Sequence, residues 1–459
     1  MKKWRAKLLL LVVAVGTLAI ALPSAASKDS IELPSGFPPL RDKVDTEKPA
    51  TIVPTNPYLV RGPDYQPLGL NLQSELLSPE LLRRADELGA GAYRLTIRET
   101  DFADEDSPNF FKLRNVVRRI TESGHEIMLT LESARISPNL YSAYFIRIYN
   151  AVGSQVRYYQ LADNINQHLG LSTADYSEAL SLIRAFRNSQ GDDFKIVLGG
   201  IRGIDRAFIS ELEEKRVFER VDALAFNLYP DANHMEIPYA GRELASMSLF
   251  TAMHAFGELA SYGKPIYITD LGVSTAVSPL GVSQLDQASM LSRATLYLLN
   301  SGASRVFLHS LQDTDANLIN PQKNMGLLTY GGKAKPAYYA IERLAGVLRG
   351  AFFFQPYFLF QMGNEFPAQG DPLFAHFLYR PTDRTTYFIY WTSKMNALDR
   401  YTNLVIYRPQ LEVRGMMNLL SGESDAVPYR RAQNLILFHR LPLSHIPTFI
   451  EMTGEEPSG

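Results

Sequence analysis

The chain has 459 residues, 46% hydrophobic and 20% charged, with 46 basic against 48 acidic side chains. That is about three times an ordinary domain, so one large and one smaller domain are expected, and the apolar fraction excludes a wholly disordered chain. Balanced charge excludes a nucleic-acid binder that works by bulk positive charge, and zero cysteines exclude disulfides, thiolate metal sites and cysteine nucleophiles.

The chain opens with Lys2, Lys3, Arg5 and Lys7, then an apolar run over residues 8–22, then Pro23, Ser24, Ala25 and Ala26. This is the layout of a secretory signal peptide, with cleavage expected after Ala26. The apolar run is short for about 30 Å of hydrocarbon, although an uncleaved anchor stays open as the alternative. No later stretch is long and apolar enough to span a membrane, so export to the periplasm or beyond is expected, without an integral membrane domain after cleavage. Residues 27–63 carry Pro34, Pro38, Pro39, Pro49, Pro54, Pro57 and Pro63. Repeated prolines fix φ and remove donors, which predicts an extended tether or a strap on the folded body.

From residue 64 onward, short apolar or β-branched runs alternate with amphipathic helical stretches. Strands are predicted near Leu70, Leu95, Leu129, Tyr159, Val197, Ala225, Ile268 and Phe307. Helices are predicted over residues 79–88, 176–188, 244–262, 284–300 and 335–349, among others. The first follows Ser78 as N-cap with Pro79 at its first position, and Gly263 and Gly302 stop two of the later ones. Eight strand–helix units fit a closed (β/α)8 barrel over 64–350, and no dinucleotide fingerprint follows the first strand. Over 351–451 the pattern changes to short β-type runs separated by turns, including a hairpin through Arg380-Pro381-Thr382-Asp383-Arg384, which predicts an antiparallel β-sandwich. Residues 452–459 read as a polar tail.

In such a barrel the strand C-termini converge on one mouth. The strand-end residues are Glu99, Glu132, Asp163 with Asn164, Tyr229 with Asp231, Asp270, and His309 with Asp313. Carboxylates sharing one rim repel one another, and partial burial drives their pKa values apart, as acid and base roles require. Strand-end carboxylates also cap helices or face water, which is the plainer reading for Glu99, Asp231 and Asp313. Other constellations fail. There is no Gly-x-Ser-x-Gly, no His-Glu-x-x-His, and Tyr330-Gly331-Gly332-Lys333 lacks the spacing of a phosphate loop. No cofactor and no metal are implied.

Leu161-Ala162-Asp163-Asn164 at the fourth strand, Thr269-Asp270-Leu271-Gly272 at the seventh, Arg94 on the second and Asn227-Leu228-Tyr229 on the sixth together carry a resemblance. The chain resembles clan A glycoside hydrolases, in particular the xylosidase-like and iduronidase-like branch with a β-sandwich after the barrel. The resemblance implies Asp163 as proton donor and Asp270 as nucleophile, or as the residue that holds water. It implies Arg94 and Tyr229 as supports of Asp270, and Glu132, Asn164, Asn227 and His309 as lining of the sugar site. The implied partner is a polysaccharide or oligosaccharide, not a nucleic acid.

Three departures stand out. Both glutamates expected in the family are aspartates, the asparagine expected before the acid/base is Ala162, and the only tryptophans are Trp4 and Trp391. Retaining glycosidases hold their carboxyls about 5–5.5 Å apart, and inverting ones about 6.5–9.5 Å. Two shortened side chains therefore allow inward movement of the strands, an inverting reaction, or loss of catalysis. Two readings follow: an exported hydrolase of O-glycosidic bonds, and an inactive pseudoglycosidase that binds or scaffolds an envelope or extracellular glycan. Trp391 lies in an apolar strand run and is expected to face the core of a structural sandwich.

Overall fold

The computed structural model describes residues 54–72, 78–104, 107–230, 235–236, 247–354, 359–362, 373–392, 400–407, 411–432 and 435–454. The expected signal peptide (1–26) and the greater part of the proline-rich segment lie outside them, as does Asp231.

The barrel strands are β1 (Leu68–Leu72), β2 (Ala92–Arg98), β3 (Glu126–Glu132) and β4 (Tyr158–Leu161), then β5 (Lys195–Val197) and β6 (Ile201–Arg202), and finally β7 (Leu224–Leu228), β8 (Ile266–Leu271) and β9 (Ala303–Leu308). They form one parallel sheet in the order β5-β4-β3-β2-β1-β9-β8-β7-β6. The chain departs here from the sequence expectation of a single fifth strand. That strand is broken into β5 and β6, and the ring closes through it: β5 pairs with β4, β6 pairs with β7, and Leu198 N–H donates to the Ala223 carbonyl at 3.0 Å. The break falls at Gly199-Gly200, where backbone must pass close to its neighbours. A Cβ on Gly199 would stand 2.4 Å from Ile165 Cγ2 and 2.6 Å from the Leu161 carbonyl oxygen.

The helices are α1 (Pro79–Glu87), α2 (Pro108–Glu122), α3 (Pro138–Val152), α4 (Thr173–Gln190), α5 (Arg206–Glu214), α6 (Leu249–Leu259), α7 (Gln284–Asn300) and α8 (Pro336–Leu348). The start of α1 follows the sequence signal. Ser78 accepts from Leu81 N–H ahead of Pro79, and Ser283 accepts from Asp286 N–H. β1, β7, β8 and β9 are buried along their whole length. They lie between helices outside and packed side chains inside, which is why they read as unbroken apolar runs. Each fully buried Leu or Ile there contributes about 1.5–3 kcal/mol relative to exposure.

Two antiparallel sheets follow. The six-stranded one is ordered β10 (Phe352–Phe354), β12 (Leu373–Arg380), β13 (Thr385–Thr392), β19 (Thr448–Gly454), β15 (Leu411–Asn418) and β16 (Ser424–Asp425). The four-stranded one is ordered β11 (Leu359–Met362), β14 (Arg400–Tyr407), β18 (Leu435–Leu443) and β17 (Tyr429–Ala432). The α/β barrel with a C-terminal antiparallel sandwich is thus the observed architecture. The expected polar tail begins later than residue 452, since β19 runs to Gly454.

β13 is buried throughout because it has a layer on each side. Phe388 stacks with Phe438 of the other sheet, while Phe374 and His376 of β12 meet Tyr297 of α7 edge-on. α7 is accordingly buried from Gln287 to Leu299, between barrel and sandwich. Trp391 is fully buried, as expected from its strand run, but it faces the barrel and not the core of the sandwich. Its indole Nε1 donates to Glu236 Oε1 at 3.1 Å, and Arg293 Nε lies 2.9 Å from the same oxygen. At the opposite end from the mouth, Asn56 Nδ2 donates to the carbonyls of Leu299 and Ala303 at 2.7 and 2.8 Å, and Thr55 N–H donates to Phe353 O. Residues 54–63 therefore form a strap that ties the barrel base to the sandwich.

Candidate active site

The strand C-termini surround a cleft of about 1890 Å³ whose lining includes Asn71, Arg94, Glu132, Asp163, Asp270 and His309. Alternation along the strands brings Thr130 and Glu132 of β3, and Gln160 of β4, to the inward face. Beneath the cleft Thr130 and Gln160 form a buried polar layer with Arg94 and Thr269. Gln160 Oε1 accepts from Arg94 Nε at 2.7 Å and Thr130 Oγ1 at 2.8 Å, and its Nε2 donates to Thr269 Oγ1 at 3.1 Å. Thr269 in turn donates to Asn227 Oδ1 at 2.8 Å. Every bond in this chain is made between groups from different strands, so the network fixes the mouth from below.

Asp163 is placed by backbone geometry. Simple alternation after Gln160 would send it outward, but Ala162 takes φ +70° and turns the chain so that Asp163 faces in. A left-handed alanine costs about 1–2 kcal/mol. Two polar interactions offset that cost: Asp163 Oδ2 lies 2.9 Å from the Arg94 guanidinium and Oδ1 accepts from Asn227 Nδ2 at 2.7 Å. Gly200 lets these groups approach, since a Cβ there would stand 2.4 Å from Asp163 Oδ1 and 2.6 Å from Asn227 Nδ2. Asn164, also left-handed at φ +46°, accepts from Asn227 Nδ2 at 3.1 Å and lines the cleft with Asp163.

Asp270 is placed by an irregularity in β8. Against β7, Phe226 pairs with Ile268 but Asn227 pairs with Asp270, so one extra residue is accommodated near Thr269. Such a bulge re-aims side chains, and here Thr269 and Asp270 both reach the inward network. Tyr229 donates to Asp270 Oδ2 at 2.6 Å, and His309 Nδ1 lies 2.8 and 2.9 Å from the two carboxylate oxygens. His309 Nε2 lies 3.1 Å from the Gln322 carbonyl oxygen, which can only accept, so Nε2 carries hydrogen. Nδ1 then faces a carboxylate, the arrangement of an imidazolium–carboxylate pair. Burial alone would raise the Asp270 carboxyl, but His309, Arg94 and Tyr229 outweigh it and hold it below the usual range. Burial lowers His309, and the Asp270 charge more than reverses that. Burial and the adjacent anion push the Tyr229 phenol up, so it stays a donor. Arg202 lies over the Tyr229 ring, 5.2 Å from its centroid.

Glu132 stands apart. Its side chain is 39% exposed, and its nearest cation is Arg98 Nε at 3.8 Å. Burial first, and then the Asp163 charge, raise its carboxyl above the ordinary range, with Arg94 and Arg98 opposing.

Asp163, Asp270, Asn164, Glu132, Tyr229 and His309 thus meet at one mouth, and Tyr229 supports Asp270 as the resemblance implies. Two expectations are corrected. Arg94 makes its ion pair with Asp163 and reaches Asp270 only through its charge, because β2 stands two places from β4 in the ring and three from β8. Asn227 is fully buried and bonded to Asp163, Asn164 and Thr269, so it holds the site from beneath and does not face a sugar. His309 lines the cleft, and its Nδ1 is engaged by Asp270. Asp313, expected to cap a helix or face water, is instead buried against Lys335 at 2.8 Å, and Glu99 accepts from Ser133. Sequence reasoning missed Gln160, Thr130, Thr269 and Gly200. The inward strand positions of Gln160 and Thr130, polar in otherwise apolar runs, were the available signal.

No protein-family model matches the chain, and no curated protein matches it by sequence. Solved structures do. A family 39 glycoside hydrolase from the gut symbiont Bacteroides cellulosilyticus aligns with a TM-score of 0.62 at 14% identity, covering 87% of this chain and 82% of that one. A family 51 α-L-arabinofuranosidase from Bifidobacterium longum gives 0.58 at 13%, covering 88% and 97%. The catalytic domain of a family 30 xylanase from Talaromyces cellulolyticus gives 0.56 at 9%, covering 88% and 100%. The alignments span barrel and sandwich together, and at these identities they establish a shared fold.

Proposed function

We propose, from a fold shared with glycoside hydrolases of families 39, 51 and 30, that this protein is itself a glycoside hydrolase. It cleaves an O-glycosidic bond of an oligosaccharide or polysaccharide. The observation that carries the reading is Asp270. It is an inward carboxylate at the end of β8 in an open cleft, kept anionic by His309, Arg94 and Tyr229, with a second carboxylate, Asp163, across the same mouth. A fixed anion in a partly desolvated site is what an oxocarbenium-like transition state requires. The cleft is larger than the 300–1,000 Å³ typical of small-molecule pockets, which suits several sugar units. Asn164 lines the cleft, and its side-chain amide nitrogen is available to donate to a sugar hydroxyl. The basic and apolar start of the chain supports export.

The test is hydrolysis of a glycan panel by purified protein and by Asp270→Asn. The variant keeps the size of the side chain and loses the charge, and turnover is expected to fall by about three orders of magnitude or more. Turnover that survives in Asp270→Asn refutes the assignment. Tight binding of a glycan that the wild type never cleaves supports the pseudoglycosidase instead.

A further inference from the structure

Resting on the glycosidase reading, one question concerns the proton that the departing sugar oxygen must receive. Asp163 is poorly arranged to give it. One of its oxygens lies against the Arg94 guanidinium, the other against the Asn227 amide, and Gly200 backbone packs beside them. A proton on Oδ1 would point at the Asn227 amide nitrogen already donating to it, and one on Oδ2 at a guanidinium nitrogen that cannot accept, so delivery would first require a buried contact to break. Glu132 has the opposite surroundings. It ends β3 on the inward face, two residues beyond Thr130, and its neighbour Leu131 pairs with Leu161, so Glu132 emerges beside the Ala162–Asp163 turn. It lines the same cleft. Among the described residues no hydrogen-bond donor holds its carboxyl, and its ion-pair partner, Arg98, is 66% exposed at 3.8 Å.

We infer that Glu132, and not Asp163, is the proton donor of the glycosidic reaction, with Asp163 as the fixed charge beside it. The Glu132 O–H proton passes to the glycosidic oxygen as the bond to the anomeric carbon breaks, and the bonding electron pair leaves with that oxygen. Asp270 carries the compensating negative charge. Water then forms the new bond to the anomeric carbon, and its proton returns to Glu132, so the sum is one glycosidic bond and one water consumed. The raised Glu132 carboxyl suits a group that holds a proton near neutrality, and the Asp163 charge is part of its cause. Asp163 is on this account a positioning residue, acting through Glu132 and Arg94.

The experiment compares Glu132→Gln and Asp163→Asn on two substrates with the same sugar. One is an aryl glycoside with an acidic phenol, which leaves without protonation. The other is an oligosaccharide, whose alkoxide does not. Glu132→Gln is expected to lose about 100-fold or more in kcat/KM on the oligosaccharide, with a loss at least tenfold smaller on the aryl glycoside. Asp163→Asn is expected to lose similar amounts on both. Carboxyl-carbon NMR should show Glu132 titrating at lower pH in Asp163→Asn than in wild type. Equal losses on both substrates in Glu132→Gln, leaving-group selectivity in Asp163→Asn instead, or a Glu132 titration indifferent to Asp163 would overturn the inference while Asp270-dependent hydrolysis still stands. Absence of any Asp270-dependent hydrolysis in the wild type removes the glycosidase reading, and this inference with it.

Discussion

The contact of Trp391, Glu236 and Arg293 offers a sharp test of how the sandwich is held to the barrel. Arg293 is fully buried and Glu236 is 2% exposed, so each ion depends on the other for the solvation it has lost. Arg293→Met keeps most of the packing volume and removes the charge, leaving Glu236 with the indole N–H as its remaining side-chain donor among the described residues. Breaking a buried pair from one side costs about 3–5 kcal/mol, because a buried charge is left uncompensated. The sign of the pH dependence follows from Glu236. Burial raises its carboxyl in the folded chain even with Arg293 present, and removing Arg293 raises it further. The folded chain then holds a proton that the unfolded chain has released, so stability is greatest below the unfolded pKa and falls as pH rises through the folded one.

The deficit of Arg293→Met should therefore be large at pH 8 and smaller at pH 5, and Glu236→Gln added to it should restore much of the loss. In a chain lacking residues 1–26, Trp391 is the only tryptophan, so its fluorescence during urea unfolding reports on this contact itself. In a two-domain chain that transition is read as loss of the contact, not as a global free energy. A wild-type midpoint for Arg293→Met at pH 8, or an equal deficit at both pH values, would show the reasoning to be wrong.

Two further predictions concern the cleft. Gly200→Ala should lower kcat by about 100-fold with a stability loss of about 1–3 kcal/mol, since its Cβ must displace Asp163 and Asn227; kinetics and urea unfolding on one preparation check both. His309→Gln should move the acidic limb of the kcat/KM profile to higher pH, because the carboxyl of Asp270 loses the cation that keeps it ionised. With a charge-assisted bond worth about 1.5–3 kcal/mol, the rate on that limb should fall about tenfold or more relative to wild type, and an unmoved limb would contradict the pairing.

The barrel was legible because its signals are local. Buried parallel strands read as apolar runs, and Ser78 and Pro79 mark a helix start that the structure reproduces. The sandwich was legible from the spacing of its strands, and the burial of Trp391 from the run around it. The site was legible only as a set of strand ends. Which carboxylate meets which cation depends on ring order and register, as with Arg94 and Asp163. The turn at Ala162 and the bulge at Thr269 shift alternation by one residue, and no composition or period announces either. The break at Gly199-Gly200 was likewise hidden inside an apolar run that reads as continuous.

The strap over residues 54–63 sets a direction for the whole molecule. Asn56 is bonded to Ala303, where β9 starts, whereas the cleft carboxylates stand where the strands finish. The chain thus enters the barrel from behind, and the opening lies at the far end of the barrel from Pro54.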